Sequence, residues 1–257
     1  AVLSSGLVFV TILTRPRDST TCLSSAATDV SNRTYLDGVL TATTPTATDI
    51  SGKSVYNWGL GYKSGAQVAA LGMADDIRVY DRVLAPAEVT HLATSRGVEG
   101  PAHVGLGDEQ LWLCPSNDNT GTLTAFDDKS GTGYNGTASG TLIVADTDQG
   151  GSYAFELGTT TDNVTLPANI GIDGSSYSVS MWLNNSQTNP SGVANWFGGW
   201  NSGFDNSNLF IYQYQTNLRA YDSNAGGSVL IHEWSSSPVN TWTVPYTPLT
   251  PPTISKC

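Results

Sequence analysis

The chain has 257 residues, and only 13% of them are charged, about half the roughly 25% usual in globular proteins. Its net charge of −11 argues against nucleic acid and against an anionic membrane surface as partners. No apolar run reaches the roughly 18 residues that a bilayer span requires, so membrane insertion is not expected. With so few charges the surface has to be covered by Ser, Thr, Asn and Gly, which suits an extracellular or cell-surface β-protein. The acidity comes from Asp, 17 against 5 Glu. Asp caps turns and also supplies hard oxygen ligands, so turn capping and calcium are both open readings.

In chain order, Leu7 to Leu13 (LVFVTIL) is the most apolar run. Neither a basic segment nor an initiator Met precedes it, so it reads as a buried strand rather than a signal peptide, in a chain that is mature, processed or cut from something longer. Arg15-Pro16-Arg17-Asp18 is a turn, and residues 19–32 are small and polar. Arg33 to Leu40 reads as strand, Asp37-Gly38 turn and strand. Lys53 to Tyr62 is a further strand, with Gly59 and Gly61 permitting close backbone approach. Ala74 to Tyr80 alternates apolar and polar residues, as a strand with one face on a core does. A short helix follows from Ala85-Pro86-Ala87-Glu88, with Val89 and Leu92 facing inward and Gly97 ending it.

Residues 96–108 change composition to Gly, Pro, Val and His and read as a linker. Leu111 to Cys114 opens a new strand, and Asp127 to Thr137 is a turn that lacks the closing Glu of a calcium loop. Tyr153 to Leu157 and Asp162 to Pro167 form a hairpin, and Tyr177 to Leu183 alternates with period two. Leu209 to Gln213, Asn217 to Tyr221 and Val229 to Trp234 continue as strands. Residues 244–257 hold four prolines and read as an extended tail or an edge strand. Strands at intervals of roughly 8 to 15 residues, with one short helix, give the sandwich or barrel pattern.

Several of these stretches resemble laminin-G-like modules, which belong to the concanavalin A-like jelly rolls of lectins and glucanases. Residues 74–95 are similar to the strand and helix that close such a module, and residues 127–137 to the turn near its start. Tyr177 to Leu183 resembles its "fTvsaWv" strand. The resemblance implies an all-β, two-sheet antiparallel β-sandwich with one short helix. It also implies the two halves in permuted order: residues 1–95 resemble the module's second half and 109–243 its first half. One sandwich over residues 1–243 is expected, with 244–257 as tail. The alternative is two partial modules, each completed by strands or tails of neighbouring modules or of other copies of the chain. A structural calcium ion is implied as well, held by Asp75 or Asp76 with carbonyls near Asp162.

Catalysis is not expected. The glucanase site of the resembling class needs Glu-x-Asp-x-x-Glu, and no Glu has that spacing. His91, His103 and His232 are isolated, no Gly-x-Ser-x-Gly occurs, and no His/Cys group has zinc spacing. For carbohydrate, Trp196, Trp200 and Phe204 lie in a Gly/Asn/Ser-rich stretch and are candidate platforms, with core filling as the alternative. Asn32, Asn135, Asn163 and Asn184 head glycosylation triplets. Cys22, Cys114 and Cys257 leave two arrangements open, a Cys22–Cys114 disulfide with one thiol over or three separate thiols. The functional expectation is a non-catalytic extracellular structural or adhesive protein, a repeating subunit of a surface fibre joined head-to-tail. The alternative is a lectin-like carbohydrate-binding module.

Overall fold

The computed structural model describes residues 7–13, 32–44, 57–61, 68–94, 106–115, 121–122, 125–146, 152–171, 177–187, 190, 192–200, 209–224 and 227–234. Before the helix run strands β1 (Leu7–Leu13), β2 (Asn32–Leu36), β3 (Val39–Thr44), β4 (Asn57–Leu60), β5 (Val68–Ala69) and β6 (Gly72–Tyr80). Helix α1 (Pro86–Thr94) follows. Then come β7 (Glu109–Leu113), β8 (Gly121–Thr122), β9 (Ala125–Phe126), β10 (Gly136–Ser139), β11 (Leu142–Asp146) and β12 (Ser152–Leu157). The remainder is β13 (Asn163–Leu166), β14 (Tyr177–Asn185), β15 (Val193–Trp200), β16 (Leu209–Tyr214), β17 (Asn217–Asn224) and β18 (Gly227–Trp234). The protein is an all-β sandwich of two sheets, antiparallel except where β5 runs parallel to β15. Among the described residues no helix is long and apolar enough to cross a membrane.

Sheet one has the order β3-β2-β1-β14-β6-β12-β11-β8, with β7 beside the second half of β6. Sheet two has the order β18-β17-β16-β15-β4-β13-β10-β9. Both sheets mix strands from before and after residues 96–108. The β1 strand pairs with β14 along all seven of its residues, and β6 lies between β14 on one side and β12 and β7 on the other. In sheet two, β4 separates β13 from β15. In both sheets, strands from the two parts of the chain are hydrogen-bonded neighbours.

The pattern of β14 explains its central place. All nine of its residues are buried. Tyr177, Val179, Met181 and Leu183 face the other sheet and join the main core with Trp58, Phe155, Trp196 and Phe197. Phe126 meets Phe155 edge-to-face at 4.7 Å, an arrangement favoured by the ring quadrupole. On its opposite face Trp182 joins Tyr35, Tyr80, Leu84, Val89 and Leu92 in a second core under α1. Val89 and Leu92 pack inward, as the sequence pattern requires. Ser178 on this face donates to the Arg82 carbonyl at 2.7 Å and accepts the Leu84 amide at 3.2 Å, so the buried hydroxyl is satisfied.

Local chemistry fixes the two turns that flank this layer. Asp37 and Gly38 both have positive φ, 52° and 78°, the combination that a two-residue hairpin demands and that Asp-Gly tolerates. At the start of α1, Glu88 reaches back to accept the Ala85 amide at 2.7 Å, and Arg82 forks onto its two oxygens at 2.8 Å each. Arg82 also pairs with Asp108, which fastens the segment before β7 to the helix start.

Candidate functional site

Asp75 and Asp76 lie at a defect in sheet one. Strand β6 pairs with β12 up to Ala74 and with β7 from Ile77, so the two aspartates occupy the gap between those partners. On the other side β14 shifts register between Ser180 and Trp182, and Asp76 is the extra residue, with φ of 49°. The bulge turns the Asp76 carboxylate toward Arg78. Arg78 Nε donates to Asp76 Oδ1 at 2.8 Å and Nη2 to Oδ2 at 3.2 Å, while Trp112 Nε1 donates to Oδ1 at 2.9 Å. The guanidinium also lies 4.5 Å from the Trp112 ring centroid and donates to Glu109 Oε1 at 3.3 Å. Glu109 accepts the Tyr80 hydroxyl at 3.2 Å and the amides of Leu106 and Gly107 at 2.6 and 3.0 Å.

Every ionic member of this group is buried. Burial works against the charge on Arg78, but the Asp76 carboxylate and its hydrogen bonds hold the guanidinium above its ordinary pKa. Burial pushes the Tyr80 phenol up. The group joins β6, β7 and residues 106–109 by charge rather than by apolar packing. Donors within the fold already engage these carboxylates. Both oxygens of Asp76 are committed to Arg78 and Trp112, and Asp75 Oδ1 accepts the Asp76 amide at 2.6 Å. At the turn whose carbonyls were the other expected contributors, the Asp162 carboxylate accepts the amides of Gly158 and Thr159 at 2.8 Å each. Calcium takes about six to eight oxygens, and among the described residues no group of three His, Cys, Asp or Glu side chains is placed to hold a metal.

The turn from Asp127 to Thr137 is built around Asp128. Its carboxylate accepts the Trp112 amide at 2.9 Å, the Ser130 amide at 2.9 Å, and the Ser130 and Thr132 hydroxyls at 2.8 and 2.7 Å. Burial raises the Asp128 pKa, but these donors outweigh it and hold the carboxyl below the ordinary range. A depressed folded-state value gives stability that is present above the unfolded pKa of about 3.9 and lost as pH falls through the folded value. Asp128→Asn is therefore expected to cost about 1–3 kcal/mol at pH 7, with the gap from wild type closing below about pH 4. Urea melts at both pH values check this, and a gap unchanged by pH would refute the charge argument.

The aromatic stretch expected to meet sugar divides. Trp196 is fully buried in the main core, with its ring edge 2.9 Å from the Cβ position of Gly72. A sugar platform needs an exposed ring face, so Trp196 is a core residue. Trp200 ends β15, its side chain outside the described set, and Phe204 lies outside the described residues. Sequence reading passed over the outer face of sheet two. Leu209, Ile211, Leu218, Ala220 and Trp234 face the main core. The alternating positions therefore face outward, and Phe210 and Tyr212 form a separate cluster there with Val193 and Tyr221.

Cross-strand register then assembles a polar and aromatic group on this outer face. Tyr212, Arg219 and Glu233 are successive partners across β16, β17 and β18, and Tyr214 is opposite Asn217. Arg219 pairs with Glu233 and places its guanidinium 4.8 Å from the Tyr214 ring centroid. Asn217 Nδ2 donates to Glu233 Oε1 at 2.8 Å. Tyr212 lies 5.9 Å from Tyr221, and burial pushes its phenol up against the opposing pull of Arg219. Tyr214 is 37% exposed. The alternation in Leu209–Tyr214 (LFIYQY) was the signal for this face; the partners of Tyr214 depended on register.

The modification candidates also separate. Asn184 is buried in β14, and Asn163 is half-buried with its amide donating to the Thr161 carbonyl at 3.0 Å. Asn135 is exposed, while the Asn32 side chain is outside the described set. Cys114 follows β7 with its sulfur 3.8 Å from the Pro115 carbonyl oxygen, and Cys22 and Cys257 lie outside the described residues. Comparison with protein-family models, with curated proteins and with solved structures finds no match for the chain.

Proposed function

We propose that the chain is a non-catalytic, extracellular adhesive module, a laminin-G-like sandwich with its halves in permuted order, that holds carbohydrate on the outer face of sheet two. The observation that carries this reading is the group of Tyr214, Asn217, Arg219 and Glu233, with its exposed aromatic edge beside paired donors and acceptors. A pyranose has an apolar C–H face and neighbouring hydroxyls, and this pairing of ring with fork suits both. The non-catalytic part draws support from the buried carboxylates of Asp76, Asp128 and Asp162, each engaged by donors within the fold. The reading of permuted halves draws support from the placement of β6 between β14 and β12, two strands of the later half. Asn135, exposed before β10, is the acceptor best placed to carry a glycan.

Titration with glycans selected from an array tests the reading. Tyr214→Ala is expected to weaken binding at least roughly tenfold, the order of about 1.4 kcal/mol, with an unchanged melting midpoint. Binding retained by Tyr214→Ala and by Arg219→Ala would overturn it. The fibre-subunit reading is favoured by one separate observation, the uncharged and exposed edge of sheet one at β3.

A further inference from the structure

The polar atoms on the outer face of sheet two are sorted into donors and acceptors. Glu233 Oε1 accepts Asn217 Nδ2 at 2.8 Å, and its Oε2 accepts Arg219 Nε. Arg219 also bonds the Tyr212 phenol, and Asn217 Oδ1 accepts the Thr216 hydroxyl at 3.2 Å. A carboxylate has about four lone-pair positions and a guanidinium about five N–H groups, so both keep capacity after this pairing. The Arg219 and Glu233 side chains are 25% and 32% exposed, so that capacity meets water. Their charges cancel. The outward cluster of Val193, Phe210, Tyr212 and Tyr221 beside them adds no charge of its own.

We infer that the sugar held here is neutral and is held through a vicinal diol, one hydroxyl on Glu233 and its neighbour on Arg219. The inference rests on the carbohydrate reading of this face and narrows it to a class of ligand. A hydroxyl both donates and accepts. Two of them on adjacent ring carbons give a proton to the carboxylate and take an N–H from the guanidinium. Each bond has a charged partner, which is the stronger kind. Tyr214 lies under the same guanidinium and meets the C–H surface of the ring. A uronate or a sulfate finds the opposite. The positive charge of Arg219 is already matched by Glu233, so an incoming anion has to displace that carboxylate or sit beside it. Like charges so placed repel, and a chain at −11 holds anions off at longer range. Glu233 thus serves twice, as acceptor for one hydroxyl and as the group that turns acidic sugars away.

The test reads the full chain against an array of neutral, uronate-bearing and sulfated glycans. Each glycan is printed untreated and after mild periodate, which cleaves the bond between adjacent hydroxyl-bearing carbons. Wild type is expected to bind neutral glycans at least roughly tenfold more tightly than acidic ones, and to lose them on oxidation. Glu233→Gln is expected to weaken the neutral hits at least roughly tenfold and to gain acidic ones, because Arg219 then lacks its counter-ion. Acidic hits for wild type, or neutral hits that survive periodate, overturn the diol inference and leave carbohydrate binding standing. A Glu233→Gln protein with the wild-type melting midpoint that still refuses acids overturns it as well. If that variant does not keep the midpoint, the wild-type arms decide alone. An array without any hit overturns both this inference and the carbohydrate reading beneath it.

Discussion

Replacing Arg78 by Met is expected to destabilise the fold by about 3–5 kcal/mol, because two buried carboxylates lose their cation at once. Asp76 is bound through both oxygens and Glu109 through one, and the guanidinium also covers the Trp112 ring. Methionine fills much of the volume, so the loss is electrostatic rather than a cavity. Without Arg78 both carboxylates stay buried and lose that cation. Asp76→Asn and Glu109→Gln in the Arg78→Met background should recover most of the loss at pH 7. Lysine at position 78 should restore only part of it, since an ammonium gives neither the fork nor the stack. Urea unfolding of the four proteins checks this; an Arg78→Met protein within about 1 kcal/mol of wild type would refute the buried-charge account.

The expected hairpin of Tyr153–Leu157 with Asp162–Pro167 is split between the two sheets, β12 pairing with β11 and β6 and β13 with β10 and β4. Many of the other strands and turns were legible in the residues for a simple reason. Alternation in YSVSMWL, the Asp-Gly dipeptide at 37–38 and Pro86 at the first helical position are local signals, and local chemistry decides them. The Asp128 turn belongs with these, since its donors at Ser130, Thr132 and Tyr134 lie within six residues. What was not legible depends on register. Asp75 and Asp76 read as metal ligands because a pair of carboxylates at a strand start offers oxygens. The bulge that hands Asp76 to Arg78 arises from the mismatch between β6 and β14, a strand about a hundred residues later. The outer face of sheet two has the same origin. Tyr214, Arg219 and Glu233 are spread over twenty positions, and only the pairing of β16, β17 and β18 makes them neighbours. For Trp196 composition left platform and core filling both open, and the core position follows from β15, which uses its glycines for close approach. A Cβ on Gly199 would lie 2.8 Å from the Trp58 ring.

Gly72→Ala is expected to be among the most damaging single substitutions, and it explains why Trp196 is inside. Gly72 opens β6 with φ of 143°, a conformation that L side chains rarely adopt. A Cβ there would lie 2.1 Å from the Asn184 carbonyl oxygen, 3.0 Å from the Ser186 amide and 2.9 Å from Trp196 Cη2. Backbone on β14 cannot give way without breaking its pairing with β6, and the indole is enclosed by the core. Strain of about 1–3 kcal/mol from the backbone adds to about 1–3 kcal/mol from overpacking. The sum approaches half of a typical domain's stability of ~5–15 kcal/mol. Gly131→Ala separates the two causes. Its φ of 87° is also positive, yet its Cβ would meet nothing within 4 Å, so only the backbone cost of about 1 kcal/mol remains. Thermal melts of the two variants should therefore differ by several degrees or more, with Gly72→Ala the lower. Adding Trp196→Phe to Gly72→Ala should recover little, because the nearest clash is with a carbonyl oxygen. A large recovery would instead place the conflict on the indole and show that the β6–β14 backbone yields.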